Sequence, residues 1–236
     1  MAPKLQIAVY ADGADVREMI AARQGGIVNG FTTNPTLMRK SGITDYASFA
    51  REALDATGGM PISFEVFADD FDEMERQAKL IATWGEAVFV KIPITNTKGE
   101  SSIPLIARLS AAGVKLNITA ILTLQQVREV IDALDPNTPA IVSVFAGRIA
   151  DTGRDPVPLM REAAEIVKAK PKAQLLWASP RELLNVIQAE EAGCHIITVT
   201  ADILKKLAMV GKSLDELSLD TVKMFYNDAA AAGFQL

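Results

Sequence analysis

The stretch VFVKIP, residues 88–93, places a lysine inside a run that otherwise reads as a fully buried strand. Alternation along a strand puts Phe89 and Lys91 on one face and Val88 and Val90 on the other. With the valines turned toward a covering layer of helices, Lys91 points into the space the strands enclose. An uncompensated ammonium is expensive there. Two readings follow: Lys91 forms a structural ion pair with a buried carboxylate, or its amine is kept for chemistry. Buried pairs are poor stability devices, and desolvation favours the free amine of a lysine, the form that attacks a carbonyl carbon.

Similar runs recur along the chain. They are LQIAVYAD from 5, IVNGFTTN from 27, PISFEVF from 61, VFVKIPIT from 88, KLNIT from 115, AIVSVFA from 140, QLLWAS from 174 and HIITVTAD from 195. Several are almost continuously apolar, as parallel strands covered on both faces are. Between them lie stretches with helical spacing: Met74, Ala78 and Ile81 before Trp84; Val127, Val130, Ile131 and Leu134; and Leu159, Met160, Ala163, Ile166 and Val167. The second of these is expected to end at Asp135-Pro136, and a later helix to begin at Pro180 with Ser179 as its cap.

Eight alternating βα units predict an α/β fold, a single (β/α)8 TIM barrel domain over residues 1–236. No G-x-G-x-x-G or G-x-x-x-x-G-K follows any of the eight runs, which disfavours a nucleotide-binding open sheet. Beyond Gly211, SLDE at 213–216 reads as a capping box. Leu219, Val222, Phe225 and Tyr226 then predict an additional C-terminal helix, its apolar face packed on its own barrel or on another subunit.

Composition narrows the function class. The 236 residues are 49% hydrophobic with a net charge of -5, enough for one large core and without the basic footprint that nucleic acid or an anionic membrane requires. Cys194 and His195 are alone of their types, which excludes an internal disulfide, a Cys/His zinc cluster and a zinc aldolase, so no metal is expected. No run reaches the roughly 18 apolar residues of a membrane span, and MAPKLQIAVYAD lacks the apolar core of a signal peptide, so a cytoplasmic location is expected. His195 opens the eighth strand, away from the catalytic end, and reads as structural. Cys194 reads as a small buried hydrophobe, and Trp84 and Trp177 as packing residues, with Trp177 two residues from Ser179.

Barrels of this kind work at the C-terminal ends of their strands. The polar residues there are Asp12, Thr32 and Asn34, Glu65, Lys91, Asn117 and Thr119, Ser143 and Arg148, and Ser179 with Arg181. Two carboxylates beside a lysine suit Schiff-base chemistry, one moving the proton of a substrate hydroxyl and the other managing water and protons during iminium formation. Ordinary barrel-mouth acids are the alternative. Arg148 and Arg181 follow adjacent strands near where barrels hold phosphate, and guanidinium forks suit phosphate oxygens; solvated surface arginines are the alternative there.

These residues sit in motifs that resemble the transaldolase family: GFTTNPTL at 30–37, VKIP at 90–93, LNIT at 116–119, SVFAGRI at 143–149 and ASPRE at 178–182, in order and at barrel-compatible spacing. The length resembles the short subfamily that includes the fructose-6-phosphate aldolases. The resemblance implies a metal-free and cofactor-free transferase in which Lys91 forms a Schiff base with the C2 ketone of fructose 6-phosphate or sedoheptulose 7-phosphate. It implies that Asp12 acts as acid/base on the C4 hydroxyl, and that Glu65 and Thr119 position water. Asn34, Asn117 and Ser143 would hold the dihydroxyacetone unit, and Ser179, Arg148 and Arg181 the phosphate. Thr32 and Phe145 complete the substrate-binding set.

Glu65, Phe145 and Asn117 stand where the aldolases have glutamine, tyrosine and glycine, which favours transaldolase, with chemistry of the pentose phosphate pathway type. A fructose-6-phosphate aldolase releasing free dihydroxyacetone is the alternative. A non-catalytic sugar-phosphate-binding barrel is the third reading, against which Asp12, Glu65 and Lys91 all speak. Gly13 within YADGAD and Pro180 within ASPRE depart from the family motifs. The resemblance also implies a homo-oligomer, a pentamer or decamer joined through the C-terminal helix.

Overall fold

The computed structural model describes residues 5–234. Eight parallel strands close into a barrel in chain order. They are β1 (Ala8–Asp12), β2 (Gly30–Thr32), β3 (Ile62–Glu65), β4 (Val88–Pro93), β5 (Leu116–Ile121), β6 (Ala140–Val144), β7 (Ala173–Trp177) and β8 (Ile196–Val199). The helices between them are α1 (Val16–Gln24), α2 (Pro35–Lys40), α3 (Tyr46–Thr57), α4 (Phe71–Ala82), α5 (Ile103–Ala111), α6 (Leu124–Ala133), α7 (Ala146–Ala150), α8 (Val157–Val167) and α9 (Leu184–Glu191). All eight strand runs and the three helical stretches named above form where the patterning predicts.

Local chemistry explains the element ends. Asp70 caps α4 by accepting from the N–H groups of Asp72 and Glu73, and α6 opens on a reciprocal box between Thr123 and Gln126. It closes at Leu134, whose extended backbone leads into Asp135-Pro136. One expected start is different. The helix after β7 begins at Leu184 and not at Pro180, because Ser179 takes a left-handed backbone with φ 61° and does not cap it. The side chain of Asn185 accepts the Arg181 and Glu182 N–H groups instead.

The strand faces divide as β4 suggests. Val88 and Val90 are buried, while Phe89 packs against an interior cluster of Tyr10, Ile141, Leu176, Ala178 and Ile196. This cluster plugs the barrel, so the fold is a packed core and not a pore. Register then assigns neighbours above the plug. Asp12 lies opposite Thr32, Glu65 opposite Lys91, and Lys91 opposite Asn117. In-register residues of parallel strands share a face, so these side chains emerge side by side.

Tyr10 also explains a glycine. A Cβ on Gly30 would lie 2.6 Å from the Tyr10 ring, so only glycine lets β2 pass beneath that ring. Gly30→Ala is expected to lower stability by about 1–3 kcal/mol through overpacking, read as a lower denaturation midpoint at unchanged m-value. A wild-type midpoint would show that Tyr10 can leave the plug freely.

Residues Leu5–Leu204 form one compact unit, and a second begins at Lys205. The second holds a single 3-10 turn, Leu207–Met209, followed by the 19-residue C-terminal helix, Leu214–Ala232. Ser213 precedes this helix but makes no side-chain capping bond, so the expected box does not form. Lys212 pairs with Asp220 across the first turns. Leu219, Val222, Phe225 and Tyr226 are all exposed. No helix among the described residues is long and apolar enough to cross a membrane.

Candidate active site

A cavity of about 560 Å³ opens above the plug. It is lined by Asp12, Thr32, Asn34, Glu65, Lys91, Asn117, Thr119, Ser143, Phe145, Arg148, Ser179 and Arg181 together, from seven of the eight strands or the segments that follow them. Such convergence from separate strand ends is what the barrel topology allows.

Lys91 is 7% exposed. Its Nζ donates to the Thr33 carbonyl at 2.8 Å and lies 3.1 Å from Glu65 Oε2. The ion pair weighed from the sequence therefore exists, with Glu65 as the partner. It sits at the floor of an open cavity, and two partners leave an ammonium one further N–H. Asp12 is gripped differently: Oδ1 accepts from Thr32 Oγ1 at 2.8 Å and Oδ2 from Asn34 Nδ2 at 3.3 Å. Burial pushes its carboxyl above the usual range, opposed by the Lys91 charge and by the Thr32 and Asn34 hydrogen bonds. Asn34 also caps α2, accepting the Leu37 N–H at 3.0 Å. One side chain thus anchors both the helix and the carboxylate.

The opposite wall is an amide network. Asn117 Nδ2 donates to Ser63 Oγ at 3.0 Å, and Ser143 Oγ donates to Asn117 Oδ1 at 2.6 Å. This fixes the amide plane across β3, β5 and β6. Glu65 is steadied through its backbone. Tyr46 Oη accepts the Glu65 N–H at 2.8 Å and donates to its carbonyl at 3.1 Å, and the Tyr46 ring packs among Phe64, Phe67 and Trp84. Burial raises the Tyr46 phenol well above its ordinary pKa, so the hydroxyl stays protonated.

Two strained residues shape the rim. Among the described residues, Ala120 and Ser179 are the non-glycine residues with positive φ, 62° and 61°, and both line the cavity. Each such conformation costs on the order of 1–3 kcal/mol. At Ala120 the β5–β6 register slips between Ile118 and Ile121, and the consecutive residues Thr119 and Ala120 both reach the cavity, which a regular strand forbids. Ser179 does the same after Ala178.

Some contributors escape a reading of polar strand ends. Thr198 of β8 lines the cavity and lies 2.5 Å from Thr32 Oγ1. Because Thr32 gives its proton to Asp12, Thr198 is the donor in this pair. Strict alternation from Ile196 would have found it. Lys40 at the end of α2 also lines the cavity. Tyr46 and Ser63 act from behind the lining, where no strand-end rule reaches. The expected packing residues stay out: Trp177 is fully buried on the other face of β7, and Cys194 is buried. His195, just before β8, accepts the Leu175 N–H at Nδ1. Gly13, one of the departures, has open space where a side chain would go, so size does not select it. Among the described residues, no three His, Cys, Asp or Glu side chains cluster as a metal-holding group.

Comparison with known proteins agrees with this layout. A crystal structure of a Burkholderia cenocepacia J2315 protein described as a phosphonomutase matches with a TM-score of 0.59 over 88% of this chain and 94% of that one, at 14% identity, which bears on the fold alone. Curated relatives named probable transaldolase are more similar in sequence. One from Dehalococcoides mccartyi is 34% identical over 84% of this chain and 89% of its own length. One from Streptococcus pyogenes is 32% identical over 94% and 97%. The family described as Transaldolase/Fructose-6-phosphate aldolase matches residues 9–236, nearly the whole barrel and its C-terminal helix. By both measures, and with its lysine-centred barrel cavity, this chain belongs to the transaldolase/fructose-6-phosphate aldolase family.

Proposed function

We propose that the protein is a transaldolase that works through a Schiff base on Lys91. It moves a dihydroxyacetone unit from a ketose phosphate, fructose 6-phosphate or sedoheptulose 7-phosphate, to an aldose phosphate. The observation that carries this reading is the amine of Lys91 at the cavity floor, between the Glu65 carboxylate and the wall that holds Asp12. The Lys91 amine adds to the C2 carbonyl of the donor, and loss of water gives an iminium. Glu65, 3.1 Å from Nζ, handles this water together with Thr119, which also lines the cavity. Asp12 then takes the proton of the C4 hydroxyl, the C3–C4 bond breaks, and its electron pair moves into the iminium as an enamine. The first aldose phosphate leaves. The enamine carbon attacks the aldehyde of the second, Asp12 returns the proton, and water releases the new ketose.

The Asn117–Ser143 network with Asn34 suits the hydroxyls of the three-carbon unit, and Phe145 covers it. Thr32 serves through Asp12. Arg148, Arg181 and Ser179, from the segments after β6 and β7, supply donors for the phosphate. We further propose a cytoplasmic homo-oligomer, a pentamer or decamer, in which the exposed apolar face of the C-terminal helix is covered by a second copy.

Glu65 decides between transfer and release. With fructose 6-phosphate and erythrose 4-phosphate, the protein is expected to form sedoheptulose 7-phosphate, and to release little free dihydroxyacetone when the acceptor is omitted. Glu65→Gln removes the charge beside Nζ and is expected to raise free dihydroxyacetone severalfold relative to transfer. An unchanged ratio would sink that role for Glu65. Wild-type protein releasing dihydroxyacetone as fast as it transfers would make it an aldolase.

A further inference from the structure

The phosphate end of the cavity rests on α7, the short helix after β6. Gly147 of α7 meets the backbone of Ser179 so closely that a Cβ there would lie 1.6 Å from the Ser179 carbonyl oxygen. The missing side chain of Gly147 leaves room for the left-handed turn at Ser179, and Arg181, two residues on, lines the cavity. One turn along α7, Asp151 takes hold of the Arg181 guanidinium. Nε donates to Asp151 Oδ1 at 2.8 Å and Nη2 donates to Asp151 Oδ2. Nη1 is spent on Ser179, donating to its carbonyl at 2.9 Å and to Oγ at 3.0 Å. A guanidinium has five N–H bonds, so these contacts leave Arg181 one, on Nη2. Arg148 has no such grip: among the described residues its guanidinium makes no hydrogen bond or ion pair, and it acts on Asp151 only through its charge.

We infer that Asp151 is a positioning residue that sets the phosphate specificity of the cavity by holding Arg181 rigid, so that Arg148 and one preset N–H of Arg181 receive a single phosphate group. This rests on the reading of the cavity as a sugar-phosphate site. Both partners are about half exposed, 44% and 49% at the side chain, and an exposed ion pair adds little to stability. Its consequence is geometric. A free arginine must be ordered when it binds, whereas a bidentate carboxylate has already ordered this one. The pair is also mutually polarised, Arg181 holding the Asp151 carboxyl below its usual range.

Titration with inorganic phosphate tests this without turnover. By calorimetry, Asp151→Asn is expected to bind phosphate about tenfold more weakly than wild type, the effect of ordering one long side chain. In assays its KM for fructose 6-phosphate should rise by a similar factor at unchanged kcat, with unphosphorylated fructose unaffected. Arg181→Lys, which keeps the charge but loses the fork, should lose as much, and the double variant no more than either single one. Equal or tighter phosphate binding by Asp151→Asn would show that Asp151 only competes for Arg181 and overturns the inference. So would additive losses in the double variant, or an equal KM rise with fructose. Borohydride trapping of dihydroxyacetone on Lys91 serves as the separate control. Its failure in wild type with Asp151-dependent phosphate binding intact discards the Schiff-base reading alone, and its success in Asp151→Asn shows that the variant site is folded.

Discussion

Lys91→Met is expected to abolish turnover and, with it, the borohydride-dependent attachment of a reduced three-carbon unit to the protein. Methionine keeps an unbranched apolar stem of similar reach, so the cavity floor stays filled while the amine disappears. The loss should be about 10⁴-fold or more in kcat/KM, as for removal of a nucleophile that forms a covalent intermediate. Stability should fall by roughly 1–3 kcal/mol, because the Thr33 carbonyl loses its donor and Glu65 its cation. Mass spectrometry of wild-type protein treated with fructose 6-phosphate and borohydride should place the adduct on the peptide containing Lys91. An active Lys91→Met protein, or an adduct elsewhere, would end the Schiff-base reading. Loss of activity through unfolding is told apart by the denaturation midpoint.

Asp12→Asn is the second large effect, expected to lower kcat by about 10²–10⁴-fold, the usual contribution of a positioned general acid/base. Its pH dependence is more specific. Burial raises the Asp12 carboxyl above its ordinary value of 3.8, even against the Lys91 charge and the Thr32 and Asn34 bonds, with Glu65 raising it further. If Asp12 must be ionised to accept the C4 proton, kcat/KM of wild type falls with pH along a limb whose midpoint lies above 3.8. The residual activity of Asp12→Asn should lack that limb. A limb that persists would assign it to another group.

Stability carries the opposite sign. A raised pKa means that folding works against the charged form. The penalty is complete above the folded pKa and vanishes below the unfolded one, near 3.8. Asparagine resembles the neutral carboxyl. The variant should therefore melt above wild type at neutral pH, and the gap should close as the pH approaches 4. A variant that melts lower at neutral pH would mean that the Asp12–Lys91 attraction outweighs burial.

Thr32, Asn34 and Thr198 show how such a carboxylate is held. Thr32 and Asn34 were legible as polar residues at a strand end, yet nothing in their spacing told whether they would face a substrate or Asp12. Thr198 donates to Thr32 across the β8–β1–β2 seam, where the barrel closes. Its partner is 166 positions away, so local pattern could not pair them. Ser179 marks a different limit. Serine before proline is a fair helix start by propensity, but the close approach of Gly147 and the Arg181 fork claim its backbone and hydroxyl first. Tertiary contacts decided the turn, and local preference yielded.

Short-range physics is what a linear pattern carries. Period-two apolar runs alternating with period-3.6 stretches made the barrel legible, and barrel topology made the ends of its strands the place for Asp12, Glu65, Lys91 and the arginines. Which of these groups pair depends on register and on barrel closure, and both join residues far apart in the chain. The Lys91–Glu65 pair, the Asn117–Ser143 and Thr198–Thr32–Asp12 chains, the clamp of Tyr46 on Glu65 and the Asp151–Arg181 fork therefore belong to the tertiary structure alone. Each is a contact of about 3 Å or less whose strength depends on direction, and the positions that satisfy it exist only once the strands have closed.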